Sequence, residues 1–402
     1  MNRFYRQLTL VLACLICIAA SIVYIHFFPQ KETGLSEIKV GYIYDGDIAN
    51  PYTYNFAKAE YILEDKYPGK VESIVYSNIP EEKDVEYAKK LADAGCNIIF
   101  LNSYASDDGL KELALKYPDV QFCQAAGDNP NLDVRYSNYY TFMGSIYEAR
   151  YITGVVAGMK LKEMIDNGVI TTEDAKLGYI AAYSCADVIS GYTAYYLGAA
   201  SVVPEVTMEV TYTGSWANYH LEYDKCRALI NDGCVIISHH TDTSGSAVAC
   251  EDARIQGKEV YHIGYNHSME DVAPTASLAS CMINWKPYIV GSVEAVMLGK
   301  DIEKYVQGNI HGKDIGGGYS EGWLEITGFN ELNAAPGTKE KIEELEDAFI
   351  HNRIKVFKGD YIGVNPDDPS DTIDLNNGYD ECANSSAASF NYVLKGVITI
   401  VE

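Results

Sequence analysis

From Glu37 onward, short apolar runs rich in β-branched and aromatic residues alternate with longer stretches whose apolar positions recur every three or four residues. The first pattern suits buried strands and the second suits helices with one covered face. The alternation predicts strands at Ile38 to Tyr44, Val71 to Tyr76, Asn97 to Leu101 and Asp119 to Cys123, with helices at Ala57 to Tyr67, Glu81 to Gly95 and Asp107 to Tyr117. A polar stretch containing Gly127-Asp128-Asn129-Pro130 follows, then a long helix from Gly144 to Met164. A second series predicts strands at Lys176 to Ala182, Thr207 to Tyr212, Cys234 to Ser238 and Glu259 to Ile263, separated by helices at Asp187 to Val202, Ala217 to Asp232 and Ser244 to Gln256. A strand at Ala276 to Ile283 and a helix at Lys286 to Leu298 are expected to return to the first block. A strand at Trp323 to Thr327 and a charged helix at Lys339 to Asn352 belong to the tail, whose loop-rich end has too few periodic runs for a third core.

Such alternation implies parallel sheets flanked by helices. The expected architecture is α/β, with two doubly wound lobes: 37–141 plus 266–307 for the first, and 142–265 plus 308–402 for the second. Residues 1–36 read as a leader and linker. Arg3 and Arg6 precede an apolar run from Leu8 to Phe28, about the length that crosses a bilayer as a helix. The arginines favour the cytoplasmic side, which sends everything after Pro29 outside. A retained anchor, a signal peptide cut near Ala19-Ala20-Ser21, and a lipoprotein modified at Cys14 all fit this run, and all export the body.

Charge narrows the partners. With 31 Lys plus Arg against 56 Asp plus Glu, the formal net charge is −25, which repels phosphate backbones and excludes nucleic acid as a partner. Of the 10 cysteines, Cys14 and Cys17 lie inside the apolar leader; the other eight lack paired or histidine-flanked ligand spacing, so no zinc site is expected and buried thiols are the better reading. His239 and His240 are adjacent in a predicted extended segment and therefore point to opposite faces, which argues against a shared metal. No catalytic signature is present: there is no G-x-S-x-G elbow, no H-E-x-x-H pair and no complete phosphate loop. Neither an enzyme nor a cofactor is implied.

In open α/β sheets ligands sit beyond the carboxyl ends of the strands. Here those loops mix rings, amides and carboxylates: Tyr44 to Asn55, Asn102-Ser103-Tyr104, Ala182-Tyr183-Ser184, Gly214 to Asn218, His239 to Thr243 and Gly264-Tyr265-Asn266. That chemistry suits a flat heterocycle with hydrogen-bonding edges. The 33 tyrosines supply both interlobe packing and ring-binding surface, most of them structural. Asp45 and Asp47 read equally as ligand acceptors and as turn formers beside Gly46, and Arg150 reads as a salt bridge or hinge pin. The Tyr-rich stretch after Gly359 carries no recognisable motif.

These residues resemble the basic membrane protein family of substrate-binding lipoproteins, the group related to purine nucleoside receptor A. The resemblance runs over roughly Ile38 to Gly363. Its landmarks are Lys39-Val40-Gly41-Tyr42-Ile43, the Asn50 to Asn55 loop, Tyr117 to Phe122, Glu148 to Gly154, Leu197-Gly198-Ala199, Ser215-Trp216, Thr241-Asp242, Ile263 to Asn266, Ala273-Pro274 and Asn284-Trp285. It implies a type I periplasmic-binding-protein fold with a multi-crossover hinge, and delivery of a purine base or nucleoside to an ABC permease. A monomer is expected. The resemblance puts Asn50 where an acid is usual, Tyr52 where a Trp is usual, Trp216 at an aromatic of the second lobe, Asn218 in place of an acid, and Asp242 and Asn266 at polar cleft positions. The resulting candidate ligand-binding set is Asp45, Asn50, Tyr52, Tyr54, Ser103, Tyr140, Trp216, Asp242, Thr243 and Asn266, with hinge segments near Tyr140, Asn266 and Gly308. Two alternatives stay open: a sensing lobe that signals to a membrane partner, and a binding protein for another solute such as a sugar.

Overall fold

The computed structural model describes residues 34–103, 107–126 and 136–402. The apolar leader, Tyr104 and the Gly127 to Pro130 stretch lie outside them. No helix among the described residues is long and apolar enough to cross a membrane.

The chain starts with β1 (Ile38–Ile43), α1 (Pro51–Lys66), β2 (Val71–Tyr76), α2 (Asp84–Asp93), β3 (Ile98–Leu101), α3 (Asp107–Lys116), β4 (Gln121–Ala125) and β5 (Tyr139–Gly144). All five strands run parallel in one sheet, and β1, β2 and β3 are each followed by a helical crossover, as parallel pairing requires. The second lobe takes over with α4 (Tyr147–Asp166), β6 (Lys176–Ala181), α5 (Ala186–Ala200), β7 (Thr207–Tyr212), α6 (Tyr219–Asn231), β8 (Ile236–His240), α7 (Gly245–Ile255), β9 (Tyr261–Tyr265) and β10 (Ser277–Ile283). Helix α8 (Lys286–Met297) then packs on α1, and the hairpin β11 (Asn309–His311) and β12 (Asp314–Gly317) extends the first sheet beside β5. Strand β13 (Leu324–Thr327), helix α9 (Thr338–Ile350) and the short strands β14 (Ile362–Val364), β15 (Thr372–Asp374), β16 (Val393–Leu394) and β17 (Ile398–Val401) complete the described chain. The sheet orders are β11-β12-β5-β4-β3-β1-β2 and β13-β10-β9-β8-β6-β7-β17, with β15-β14-β16 forming a small third sheet. This is the two-lobed type I periplasmic-binding-protein architecture.

Several expectations are corrected. The strand at Ser277–Ile283 pairs with β9 in the second sheet instead of returning to the first, so the 266–307 segment divides at Ile283. Strand β12, assigned to the second lobe by sequence, pairs with β5 in the first. The chain therefore crosses between lobes after Gly144, after Ile283 and between Gly317 and Leu324, and the hinge segments expected near Tyr140, Asn266 and Gly308 shift to those points. Strand β5, Tyr139–Gly144, is not among the expected strands: it lies between the polar stretch and the long helix expected from Gly144, with no turn signal to set it apart from that helix.

Helix α1 begins six residues before its expected start, at Pro51. Asn50 Oδ1 accepts from the backbone N–H groups of Tyr52 (2.8 Å) and Thr53 (3.1 Å), and Pro51 at the first helical position has no N–H to satisfy. Aromatic stacking fills the first lobe: Phe56 on Trp285 at 4.4 Å and Phe142 on Tyr288 at 3.9 Å between ring centroids. Helices α4 and α5 approach backbone to backbone. A Cβ at Gly154 would lie 2.0 Å from the Tyr195 carbonyl oxygen, and one at Gly198 would lie 2.1 Å from that of Tyr151. The eight described cysteines are free thiols, and Cys226 and Cys250 stand 3.6 Å apart in the second-lobe core.

Candidate functional site

A cavity of about 560 Å³ lies between the carboxyl ends of the two large sheets, within the range that encloses a small organic ligand. The first lobe contributes Asp45, Tyr52 and Asn102, and the second contributes Trp216, Asp242 and Asn266. Each is held for a local reason. Asp45 follows β1, where its backbone N–H donates to Asn102 Oδ1 at 2.9 Å and its carboxylate accepts from Thr53 Oγ1 at 3.3 Å. Tyr52 sits in the first turn of α1; its hydroxyl donates to the Asn102 carbonyl at 2.9 Å and its ring meets Phe56 and Trp285 edge-on. With the hydroxyl engaged, the ring itself is what Tyr52 offers the cavity. Trp216 is set by its carbonyl, which accepts from Asp242 N at 2.7 Å, and by an edge-on contact with Tyr183 at 5.4 Å.

Asn266 has φ of 61°, a left-handed conformation that asparagine tolerates better than most residues. The bend turns its amide onto Asp242, Nδ2 donating to Oδ1 at 3.0 Å, while its carbonyl accepts from Asn55 Nδ2 of the first lobe at 2.7 Å. Its buried Oδ1 has no hydrogen-bond partner among the described residues. Burial pushes the Asp242 carboxyl up to about 8, Asp45 adds to the rise and Asn266 opposes it. Asp242 is therefore largely a neutral acid at pH 7, able to donate as well as accept. Burial also raises Asp45.

Because the folded state holds the Asp242 proton more tightly than the unfolded chain, whose carboxyl titrates near 4, this contribution to stability is complete in acid and is lost as pH rises towards 8. Asp242→Asn keeps the shape without the ionisation. Its melting temperature is expected to match the wild type near pH 4 and to exceed it by several degrees at pH 8; melts from pH 4 to 9 check this, and a constant gap would refute it.

Five of the ten candidate residues, Asp45, Tyr52, Trp216, Asp242 and Asn266, thus share one cavity. The other five do not line it. Asn50 caps α1, and Asn218, the other asparagine standing for an acid, caps α6 by accepting from Leu221 N at 3.1 Å. Tyr54 points to His267, an edge-on ring contact at 5.7 Å. Buried Ser103 donates to Asp84. Tyr140 donates to Glu303 and accepts from Lys313 on the first lobe's flank, and Thr243 donates to Glu222 at 2.6 Å.

Sequence reasoning missed Asp187, His240 and Tyr265, which also line the cavity. Asp187 lies in the first turn of α5, where an acid reads as an ordinary helix-dipole partner. His240 turns to the cavity, its Nε2 3.5 Å from Asp187, while His239 turns away onto His262. Burial lowers the His240 pKa, so its ring is neutral at pH 7. Tyr265 is braced from behind by the Arg150 guanidinium, 3.9 Å from its ring centroid; Arg150 is buried and donates to the His239 carbonyl. The described lining includes the acids Asp45, Glu81, Glu82, Asp187 and Asp242 and no lysine or arginine. Among the described residues no group of three or more potential metal ligands gathers.

The model of the ABC transporter substrate-binding protein PnrA-like family matches residues 37–356. The chain belongs to that family. Members are solute-binding proteins, not enzymes; they take up a small molecule outside the cytoplasm and pass it to an ABC permease. This PnrA-like chain is 29% identical over 325 residues to a purine-binding protein of Brucella abortus, covering 80% of this chain and 84% of that one. It is 26% identical over 271 residues to a Haloferax volcanii protein named for glucose binding in an ABC transporter, covering 67% and 61%. The structure of an ABC transporter solute-binding protein from Aeropyrum pernix K1 superposes with a TM-score of 0.63 at 17% identity, over 79% of this chain and 92% of that one, a likeness of fold.

Proposed function

We propose that this binding protein captures an uncharged purine base or nucleoside and delivers it to its permease. The observation that carries the reading is one cavity lined by aromatic rings from both lobes, Tyr52 from the first and Trp216 and Tyr265 from the second, together with amides and carboxyls. Aromatic faces take up a flat heterocycle through stacking worth about 1 to 3 kcal/mol per base. Asn266, with its free Oδ1, and Asp242, as a neutral acid, offer a donor and acceptors to the ring edge. Asp45 and Asp187 suit ribose hydroxyls. The absence of a described cationic side chain from the lining disfavours a phosphate, so nucleotides are poor ligands. The purine-binding relative supports the same class. In this reading the chain works as a monomer, and its apolar leader exports it or holds it at the outer membrane face.

Micromolar affinity needs only about 8 kcal/mol, within reach of two stacked faces and a few buried hydrogen bonds after closure costs. Calorimetric titration with adenine, guanine, adenosine, inosine, adenosine 5′-monophosphate, glucose and amino acids tests it. Heat is expected with bases or nucleosides, and binding at least a hundredfold weaker with the monophosphate. Heat with glucose or amino acids alone would overturn the assignment.

A further inference from the structure

The family match ends at residue 356, yet the cavity wall does not. Ala387 and Ala388 line the cavity, both half-buried, so their methyl groups border its space and not the core. The turn that carries them is fixed at both ends. Ser386 donates through its backbone N–H (2.6 Å) and its hydroxyl (2.5 Å) to the carboxylate of Asp314 on β12, and Thr141 donates to the same carboxylate at 2.8 Å. The approach is close: a Cβ on Gly316 would meet Ser386 Cβ at 3.2 Å. Glu381 closes the turn by accepting from Ser389 N and Phe390 N, each at 3.0 Å. Behind it, Phe390 stacks on Phe357 at 4.4 Å, and Tyr361 meets Tyr196 of α5 edge-on at 5.9 Å. The tail is thus anchored on the second lobe by its rings and on the first by Ser386, which leaves Ala387 and Ala388 little freedom to retreat.

We propose that this tail is a specificity element of the binding site: its Ala387-Ala388 wall sets the length of ligand the cavity accepts and leaves room for a nucleoside beyond the base. The proposal rests on the purine reading for the identity of the ligand, and on the wall geometry for the selection. Larger side chains at these two positions shorten the cavity from the tail side, so the longest ligand is lost first.

The test compares the full chain with Ala387→Leu, Ala388→Leu and the double variant by calorimetry against adenine, adenosine, guanine, guanosine and glucose. Ala383→Leu, exposed on the same tail and absent from the cavity lining, serves as control. The double variant is expected to bind nucleosides at least tenfold more weakly and bases within threefold of wild type, with an unchanged melting temperature and an inert control. Bases and nucleosides changing alike, or neither changing, would overturn it. If the wild type binds glucose and no purine, the purine reading fails while the wall is still judged with maltose beside glucose: a tenfold loss of maltose affinity in the double variant with glucose within threefold upholds it, and the two sugars changing alike, or neither changing, rejects it. Should the leucines lower the melting temperature, the smaller Ala388→Val is read by the same criterion.

Discussion

Trp216→Ala is expected to weaken purine binding roughly ten- to a hundredfold, the loss that follows from removing one stacked face worth about 1 to 3 kcal/mol. Trp216 is only partly buried, and its ring contacts are Tyr183 and His240 at the cavity edge, so its loss leaves the second-lobe core intact. Trp216→Phe, which keeps a smaller face, is expected to recover most of the affinity. Titration of the two variants beside a melting curve reads this directly. Wild-type purine affinity in the alanine variant would remove the stacking role from Trp216 and leave Tyr265 and Tyr183 as the second-lobe rings to be tested.

The second large effect concerns stability. Gly154→Ala is expected to destabilise the protein by about 3 kcal/mol, at the upper end for overpacking, read as a lower urea midpoint at unchanged slope. The added methyl would meet the Tyr195 carbonyl oxygen, part of a helix backbone, so relief requires the helices to part and not a side chain to turn. Gly198→Ala meets Tyr151 in the reciprocal way, and once the first substitution has forced α4 and α5 apart the second costs less. The double variant is therefore expected to fall short of the sum. Additive losses would mean that the two contacts are accommodated separately.

Much of this fold is legible in the sequence because its signals are local. The second series of strands and helices lies within a few residues of its expected bounds, since each β-type run is short, apolar and followed by a periodic helix. What failed depended on partners distant in the chain. Strand β10 looks the same to local pattern whichever sheet receives it, and only its pairing with Tyr261–Tyr265 decides. Strand β17 reads as an unremarkable end until Ile398 pairs with Met208 across the sheet edge. In the site, Asp45, Tyr52, Trp216, Asp242 and Asn266 were accessible because each follows the end of a strand. Asn50 was misread although the cue was present: asparagine followed by proline is a helix start, and a capping oxygen that already accepts two backbone bonds has little left for a ligand. The Ala387-Ala388 wall was beyond reach, since two alanines carry no chemical signal and their importance comes only from where the tail lies.

The chain crosses between lobes three times, so its two described ends are held on opposite bodies. Leu35 N donates to the Met297 carbonyl at 2.7 Å on the first lobe, and Ile398–Val401 forms the border of the second sheet. Fluorophores attached near Leu35 and Val401 would therefore sit on separate arms of one hinge. Their energy transfer would report lobe angle without touching the cavity, making the molecule a ready optical gauge of its own occupancy.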